Sequence, residues 1–529
     1  MKEKNTMKMV RRLEANKKIE KFIIYAVEVI FILILSFFTI ESIFKTCSIS
    51  TNEVTTYLYD NPFIHISTIS LTILLFTCIN NNKIKIDKKI LWILIGVWTL
   101  ISVIWIYISD LYPRADQKYI YNIATQMREG VFKGFEIGGY AFSNPHQAGL
   151  LLYEYILGFI FKSKNYLGLQ LINVVALLVT YFSIYKITRI MFKDKKTSIS
   201  TIFGLFLFIP MWFYITFIYG NIIGLMFSMV STFFVLKYLE NDKIKDLLIS
   251  AICMSLAVAF KSNYLIMLIA IICIILLDTI SNKKAKNLIV IMVFLIMYII
   301  VKTAIPLTLQ VITGREKKQG IPMIAYVEMG LQEGARAPGW YNAYNRNVFR
   351  KNKYNSEETS KNVKNDIKAS INKLKSDPKY TIEFFYKKTV SQWNNSTFQC
   401  FWIGRSRKTG TGKEKSTIVK SINGNGKINK ILTEYTNIIQ TIILFGATSF
   451  MIINFKKING KQLIFAVMFI GGFLFHMLWE AKCQYTISYF ILLIPYSMRG
   501  YLQLSKIVQK FINNSYKKLI KQEYLEKKQ

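Results

Sequence analysis

Asp116 lies in the run Asp110, Pro113, Arg114, Asp116, Gln117, Tyr119, Tyr121, where carboxylates, a cation and phenols follow a long apolar stretch. A single carboxylate can act as general base on a hydroxyl when partial burial lifts its pKa toward working pH. If the leaving group is a phosphate, no second acid is required, because a phosphate departs without protonation, unlike the sugar alcohol of a glycosidase substrate. The plain alternative is that Asp116 only caps a helix expected over 116–127. Further along, Tyr140-Ala-Phe-Ser-Asn-Pro-His146-Gln147 offers two side chains, His146 and Gln147, that could donate hydrogen bonds to a phosphate or a sugar; Asn-Pro-His is equally an ordinary helix start.

Lys261, in Ala-Phe-Lys261-Ser-Asn263, stands between two short apolar runs. An amine there can pair with a phosphate as charge develops on it, or can simply snorkel at a helix end. Arg114 and Lys133 are further phosphate candidates. The turn Trp479-Glu480-Ala-Lys482-Cys-Gln484-Tyr485 could contact a polar group through Glu480, Lys482 and Tyr485, although turns between apolar segments are charged by default. Gly339-Trp340-Tyr341-Asn342 and Gln392-Trp393-Asn394-Asn395 combine aromatic faces with amides, a composition suited to stacking on sugars or to packing at a membrane interface. The run 409–413, Thr-Gly-Thr-Gly-Lys, only mimics a phosphate loop, since Arg407 and Glu414 occupy positions that need Gly and Ser or Thr. Three His without HExxH and six dispersed Cys without a CxxC pair point to neither a metallohydrolase nor a zinc or disulfide framework.

The elements that must position these residues are membrane spans. Of 529 residues 52% are apolar and only 19% charged, and many apolar runs approach the roughly 20 residues that cross a hydrocarbon core of about 30 Å. About twelve transmembrane helices are expected, near 22–41, 62–79, 90–109, 166–188, 198–218, 220–238, 246–261, 263–279, 287–306, 431–454, 461–479 and 484–501. No signal-peptide cleavage pattern follows the first run. The net charge of +37 is therefore sorted by membrane side before nucleic acid is considered. Short basic loops at 83–89, 186–196, 283–286 and 456–461, with both basic termini, are assigned to the cytoplasm. That assignment holds only if 147–161 is an interfacial helix rather than a span; its length and the sequence Tyr153-Glu154-Tyr155 suit one wet face.

The expected organisation is a cytoplasmic N-terminus (1–21), three spans (22–109), an outer loop with interfacial helices (110–165), six spans (166–306), an extracytoplasmic domain (307–430), three spans (431–503) and a cytoplasmic tail (504–529). The stretch 308–430 carries 24 Lys and Arg against 9 Asp and Glu, with helical patterning around 357–375; the Gly, Ser and Lys mixture over 408–427 reads as a mobile loop. The fold class is thus an all-α polytopic membrane protein with a small, mainly helical extracytoplasmic domain.

Taken together, the acidic first outer loop, the interfacial helix, the Lys-bearing hairpin and the soluble segment before the last spans resemble the C-type (GT-C) integral-membrane glycosyltransferases. That group includes protein O-mannosyltransferases and lipid A aminoarabinose transferases, and the turn at 479–485 is similar to one in Gram-positive relatives. The resemblance implies transfer of a monosaccharide from a polyprenyl-phosphate donor to a cell-envelope acceptor, by one inverting displacement at the outer face of a bacterial plasma membrane. It implies Asp116 as catalytic carboxylate and Lys261 as the amine of the outer hairpin; beside it, the residues themselves suggest Arg114, His146 and Gln147 with Lys261 on the donor phosphate, and Tyr121, Asn221, Trp340, Glu480 and Tyr485 on sugar or acceptor. Two positions depart from the pattern: Asn221 replaces an acid and Gln484 an Arg. No cofactor is required by the pattern; a divalent ion is left open, and the loss of acid at Asn221 weighs against a two-carboxylate site. Membrane lipids are the other expected partners, and nucleic acid is not one. A flippase of lipid-linked sugars would also have about twelve spans and basic loops, but would place its polar residues at mid-membrane in repeated halves. A polysaccharide polymerase or ligase is a further alternative.

Overall fold

The computed structural model describes residues 2–81, 83, 88–162, 166–282, 286–316, 319–406, 416–424 and 426–526. The run 409–413, most of the loop expected over 408–427, and parts of the basic loops 83–89 and 283–286 lie outside these residues.

The chain opens with α1 (Lys2–Phe44) and an antiparallel hairpin of β1 (Lys45–Ile49) and β2 (Thr55–Tyr59), Lys45 facing Tyr59. Then come α2 (Pro62–Asn80) and α3 (Lys88–Ser109); α2 starts where the Asn61 side chain accepts from the Phe63 amide and Pro62 occupies the first turn. The strand β3 (Leu111–Pro113) leads into α4 (Ala115–Arg128), α5 (Tyr140–Ser143) and α6 (Ala148–Phe161). The bundle continues through α7 (Tyr166–Phe192), α8 (Lys195–Leu207), α9 (Ile209–Phe213), α10 (Asn221–Asn241), α11 (Ile244–Phe260), α12 (Leu265–Asn282) and α13 (Lys286–Thr313). A helical cap follows, made of α14 (Ile324–Gly330), α15 (Tyr344–Lys351), α16 (Ser356–Ser376) and α17 (Pro378–Trp393). In α16, Asn355 caps the amides of Glu357 and Glu358, acids fill the first turn and Lys373 and Lys375 the last, each matched to the helix dipole. The strand β4 (Gly404–Ser406) pairs antiparallel with β3, and α18 (Thr417–Asn423), α19 (Lys427–Ile453), α20 (Ile464–Leu478), α21 (Cys483–Phe490) and α22 (Ile494–Glu526) complete the chain.

Among the described residues nine helices are long and apolar enough to cross a bilayer, and α8 with the segment after its 60° bend makes a tenth crossing if taken as one span. The other two expected runs are helical as well. One is α11, of 17 residues, and the other is α21 and α22 joined through a 3-10 turn. By contrast α6 has 14 residues, about 21 Å at 1.5 Å per residue, too short for a crossing of about 30 Å. Helices α3 and α13 keep most of their apolar side chains exposed, as lipid-facing helices do, with Trp92, Ile93, Leu100, Ile289 and Ile296 among them. The interior is apolar and close-packed around Phe31, Leu177, Leu236, Ala447, Phe465 and Leu492.

Charged residues divide between the two ends of the bundle. At one end Arg499 pairs with Asp194 at 2.8 Å, Lys461 with Glu240 at 3.5 Å, and Lys196 reaches the carbonyls of Ile79 and Asn80. About 30 Å away along α10, its N-terminus at Asn221 belongs to the end that holds Asp116, Lys261 and Glu480. The helical cap covers this second end.

Candidate active site

The segment carrying Asp116 is held by its neighbours before the carboxylate is considered. Arg114 donates to the carbonyl of Trp402 at 3.0 Å and stacks on that indole at 5.2 Å. Gln117, buried, donates to the Ile403 carbonyl at 2.6 Å and accepts from the Ile218 amide at 3.1 Å. Helix α4 begins at Ala115, whose φ of +50° makes the turn out of β3. Arg114 therefore occupies the cap position and Asp116 lies inside the first turn, so the capping role considered for Asp116 is not the one it plays. Its exposed carboxylate instead hydrogen-bonds with Tyr140 and acts electrostatically on Lys261, Glu480, Lys482 and Arg346.

Around it stand three phenols. Tyr140 and Tyr219 share a hydroxyl contact at 3.3 Å, Gln147 donates to Tyr219 at 2.8 Å, and Tyr119 stacks on Tyr140 at 5.1 Å. Lys261, with 8% of its surface exposed, places its ammonium 4.0 Å from the ring centre of Tyr219 and 5.7 Å from that of Tyr485. Burial is the main cause that pushes this amine down to about 7; Lys482 adds to the fall, while Asp116 and Glu480 oppose it. Glu480, equally buried, is pushed up to about 7 by desolvation, with Lys482 pulling the other way and Asp116 adding to the rise. Burial also works against the charged form of Glu53, but Lys482 at 2.9 Å and Arg336 hold its pKa below the usual range. His146 is pushed down to about 4 by burial and by Lys261, and its ring meets Tyr326 edge-on at 6.3 Å.

The cap is fastened to the turn before α21 by backbone. The Ala481 amide donates to the Gly339 carbonyl at 2.7 Å, and Tyr326 stacks on Trp479 at 5.4 Å with the rings nearly parallel. Beside this chamber is an open groove lined by Ile120, Tyr140, Gln147, Leu151, Pro306 and Leu309, with Thr313, Arg315 and Glu316 among its polar neighbours. Tyr140 and Gln147 belong to both spaces, so the groove ends where Tyr219, Lys261 and Asp116 begin.

The structure thus brings Asp116, Lys261, His146, Gln147, Glu480 and Tyr485 together. Asn221 borders the chamber in a small cavity with Lys261 and Tyr485; its amide nitrogen donates to the Gln484 carbonyl at 3.3 Å. Arg114 is committed to Trp402, although its charge reaches Glu53. Two residues expected on sugar or acceptor are placed elsewhere. Tyr121 packs edge-on against Tyr112 and Tyr166, because it lies on the face of α4 turned toward α7. Trp340 is buried and donates to Ser391 at 2.8 Å, so its ring fastens the cap rather than presenting a stacking face. The second aromatic-amide motif is likewise structural in its contacts: Trp393 is buried, Asn394 donates to the Lys45 carbonyl and Asn395 to that of Cys47. Lys133 is exposed on the turn after α4. Sequence reasoning missed Tyr219, Glu53, Arg336 and Arg346 as members of this site.

Among the described residues no group of three or more His, Cys, Asp or Glu side chains is placed to hold a metal ion, and two carboxylates, Asp116 and Glu480, act on one ammonium, Lys261. With these features in view, the profile of the family described as dolichyl-phosphate-mannose-protein mannosyltransferase matches residues 150–305. The match covers less than a third of the chain, from α6 into α13; it includes Asn221 and Lys261 and leaves out Asp116 and Glu480. No curated protein matches the chain significantly. Over this stretch the chain is similar to that mannosyltransferase family, and its apolar helices are those of a multi-pass membrane protein.

Proposed function

We propose that this protein transfers a monosaccharide from a polyprenyl-phosphate donor to a hydroxyl of a cell-envelope acceptor at the extracytoplasmic face of a bacterial plasma membrane. The observation that carries the reading is the meeting of an apolar groove with a chamber that holds one exposed carboxylate and one buried ammonium. The groove suits the polyprenyl tail, which buries apolar surface there. Lys261 suits the phosphate, since an ammonium taken out of water, with no carboxylate within ion-pair distance among the described residues, gains most from an arriving anion. Gln147 and His146 supply further polar contacts next to it.

In the reaction, Asp116 takes the proton of the acceptor hydroxyl as its oxygen attacks the anomeric carbon. The bond from that carbon to the phosphate oxygen breaks, its electron pair stays on the phosphate, and Lys261 stabilises the charge. One displacement inverts the anomeric centre. Glu480 and Tyr485 border the sugar or acceptor, and Tyr219 and Tyr140 order the wall between donor and base.

The test is the sugar-modified glycan profile of cells carrying Asp116→Asn beside a deletion and the parent, with membrane abundance measured. A modification lost equally in both, at normal abundance of the variant, supports the reading and identifies the sugar. Full complementation by Asp116→Asn overturns it and makes transport of lipid-linked sugars the reading to pursue.

A further inference from the structure

The charges at the mouth of the chamber are unequally matched. Glu53 pairs with two cations, Lys482 and Arg336. Glu480 is desolvated toward neutrality, and Arg114 is spent on Trp402. Arg346, on α15 of the cap, is different: it is exposed, its side chain hydrogen-bonds with the phenol of Tyr341, and among the described residues it makes no ion pair. The same phenol ring carries the Arg336 guanidinium 5.2 Å from its centre. Arg346 also acts on Tyr119 and on Asp116, so it stands where the chamber opens to solvent rather than at the groove, whose wall is built by other segments.

A cation beside a general base has a cost. Its field opposes the movement of a proton toward that base. The cost is offset if an anion of the substrate occupies the space between them. Such an anion would in turn be repelled by Asp116 unless a guanidinium received it, and a guanidinium matches phosphate or carboxylate oxygens in a two-pronged geometry. Arg346 is carried by the segment that also presents Arg336 and Tyr341, which gives that anion two cations separated by one aromatic face.

Resting on the glycosyltransferase reading, we propose that the acceptor bears a phosphate or carboxylate close to the hydroxyl that is glycosylated, and that Arg346 with Tyr341 and Arg336 receives this group. Two sources share the chemistry, a phosphorylated glycan and an anionic lipid headgroup with a free hydroxyl, and the experiment separates them. The full-length protein in proteoliposomes is given polyprenyl-phosphate mannose or glucose and two pairs of acceptors. The soluble pair is an alkyl glucoside and its 6-phosphate; the bilayer pair is glucosyl diacylglycerol and phosphatidylglycerol. Release of polyprenyl phosphate and labelled product are both followed.

The charged member of one pair is expected to show a KM at least tenfold below that of its neutral partner, and the pair that does so names the source. Arg346→Gln, at an exposed position where folding is not at stake, should erase that preference while leaving the KM for the donor unchanged, and 0.5 M salt should act in the same direction. Equal KM values within both pairs, or a preference that survives Arg346→Gln, overturns the inference and leaves the glycosyltransferase reading standing. If neither donor releases polyprenyl phosphate with any acceptor, the reading itself fails and the inference fails with it.

Discussion

Lys261 shows how one residue can be tuned for a task at the expense of stability. An ordinary lysine stays protonated to about 10.5, yet burial brings this one to about 7, with no gain to the folded chain from keeping the charge. The sign follows from linkage. The unfolded chain binds this proton more tightly than the folded one between about 7 and 10.5, so the group opposes folding at neutral pH and ceases to do so as pH rises through the unfolded value. Replacing it with Met should therefore leave thermal stability equal or higher while lowering donor binding about 10- to 100-fold, the size of a charged hydrogen bond of about 1.5–3 kcal/mol. Its role also needs the charged form, so kcat/KM for the donor should fall above about pH 7. Lys261→Arg, which stays charged, should carry the plateau to higher pH. Glu480→Gln removes a neighbouring negative charge and should move the alkaline limb below its parent value. A limb that stays in place in both variants would separate Lys261 from donor binding. At this scale the sequence was legible for ionisable groups at the membrane border, because Asp116, Lys261 and Glu480 are costly there and so conspicuous. It was silent on Tyr219, Arg336 and Arg346, which are ordinary residues in ordinary loops until the fold brings them to the same chamber.

How Lys261 comes to that place is a matter of elements, and two glycines decide it. Gly149, in the first turn of α6, leaves room for the carbonyl of Ala259; a Cβ there would stand 2.2 Å from that oxygen. Gly220 has φ +77° and precedes α10; a Cβ there would stand 2.5 Å from the carbonyl of Phe260. Both neighbours are backbone at the end of α11, immediately before Lys261, and backbone cannot rotate aside. Gly149→Ala and Gly220→Ala should therefore push α11 away, displace the ammonium from Tyr219, and cost about 1–3 kcal/mol of stability from overpacking. The expected outcome is a fall in kcat/KM for the donor of tenfold or more at reduced but measurable membrane abundance. Gly96→Ala is the control, since nothing lies within 4 Å of a Cβ there. Equal activity in all three would separate the α6, α10 and α11 junction from catalysis. The sequence revealed the hairpin at Lys261 and the short helix 147–161 through their lengths. It did not reveal these close approaches, because Ile218-Tyr219-Gly220-Asn221 was informative as an absent acid and its glycine is explained only by the carbonyl it meets. The β1 and β2 hairpin was also illegible, since its five-residue strands are stabilised by amides of Asn394 and Asn395 about 350 positions away.

Across the whole molecule the two ends of the bundle are built differently: short basic loops close one, and a large domain that is itself basic covers the other. One end gathers Lys196, Lys461, Lys286 and Arg499 with the few acids that pair with them, and the other holds the chamber, the groove and the helical cap. This sorting was legible from the sequence because loop charge is set by the cost of moving cations across a bilayer, a constraint on composition that needs no tertiary information. Reading 147–161 as interfacial was the step on which the sorting depended. In the fold α6 is 14 residues long and packs with α4 beside the chamber, so it returns the chain to the same end and the later basic loops keep their side. An extracytoplasmic reaction needs the cap outside and the basic end inside, and two surface lysines are placed to decide this. Lys373 is exposed on α16 of the cap and Lys195 is exposed at the start of α8 at the basic end. Each is replaced by Cys in turn, with the parent chain as background. Lys373→Cys should react with a membrane-impermeant maleimide in intact cells, and Lys195→Cys should react only after the membrane is opened. The reverse pattern would place the chamber in the cytoplasm, where nucleotide-activated sugars are available, and would remove the reason for a lipid-linked donor.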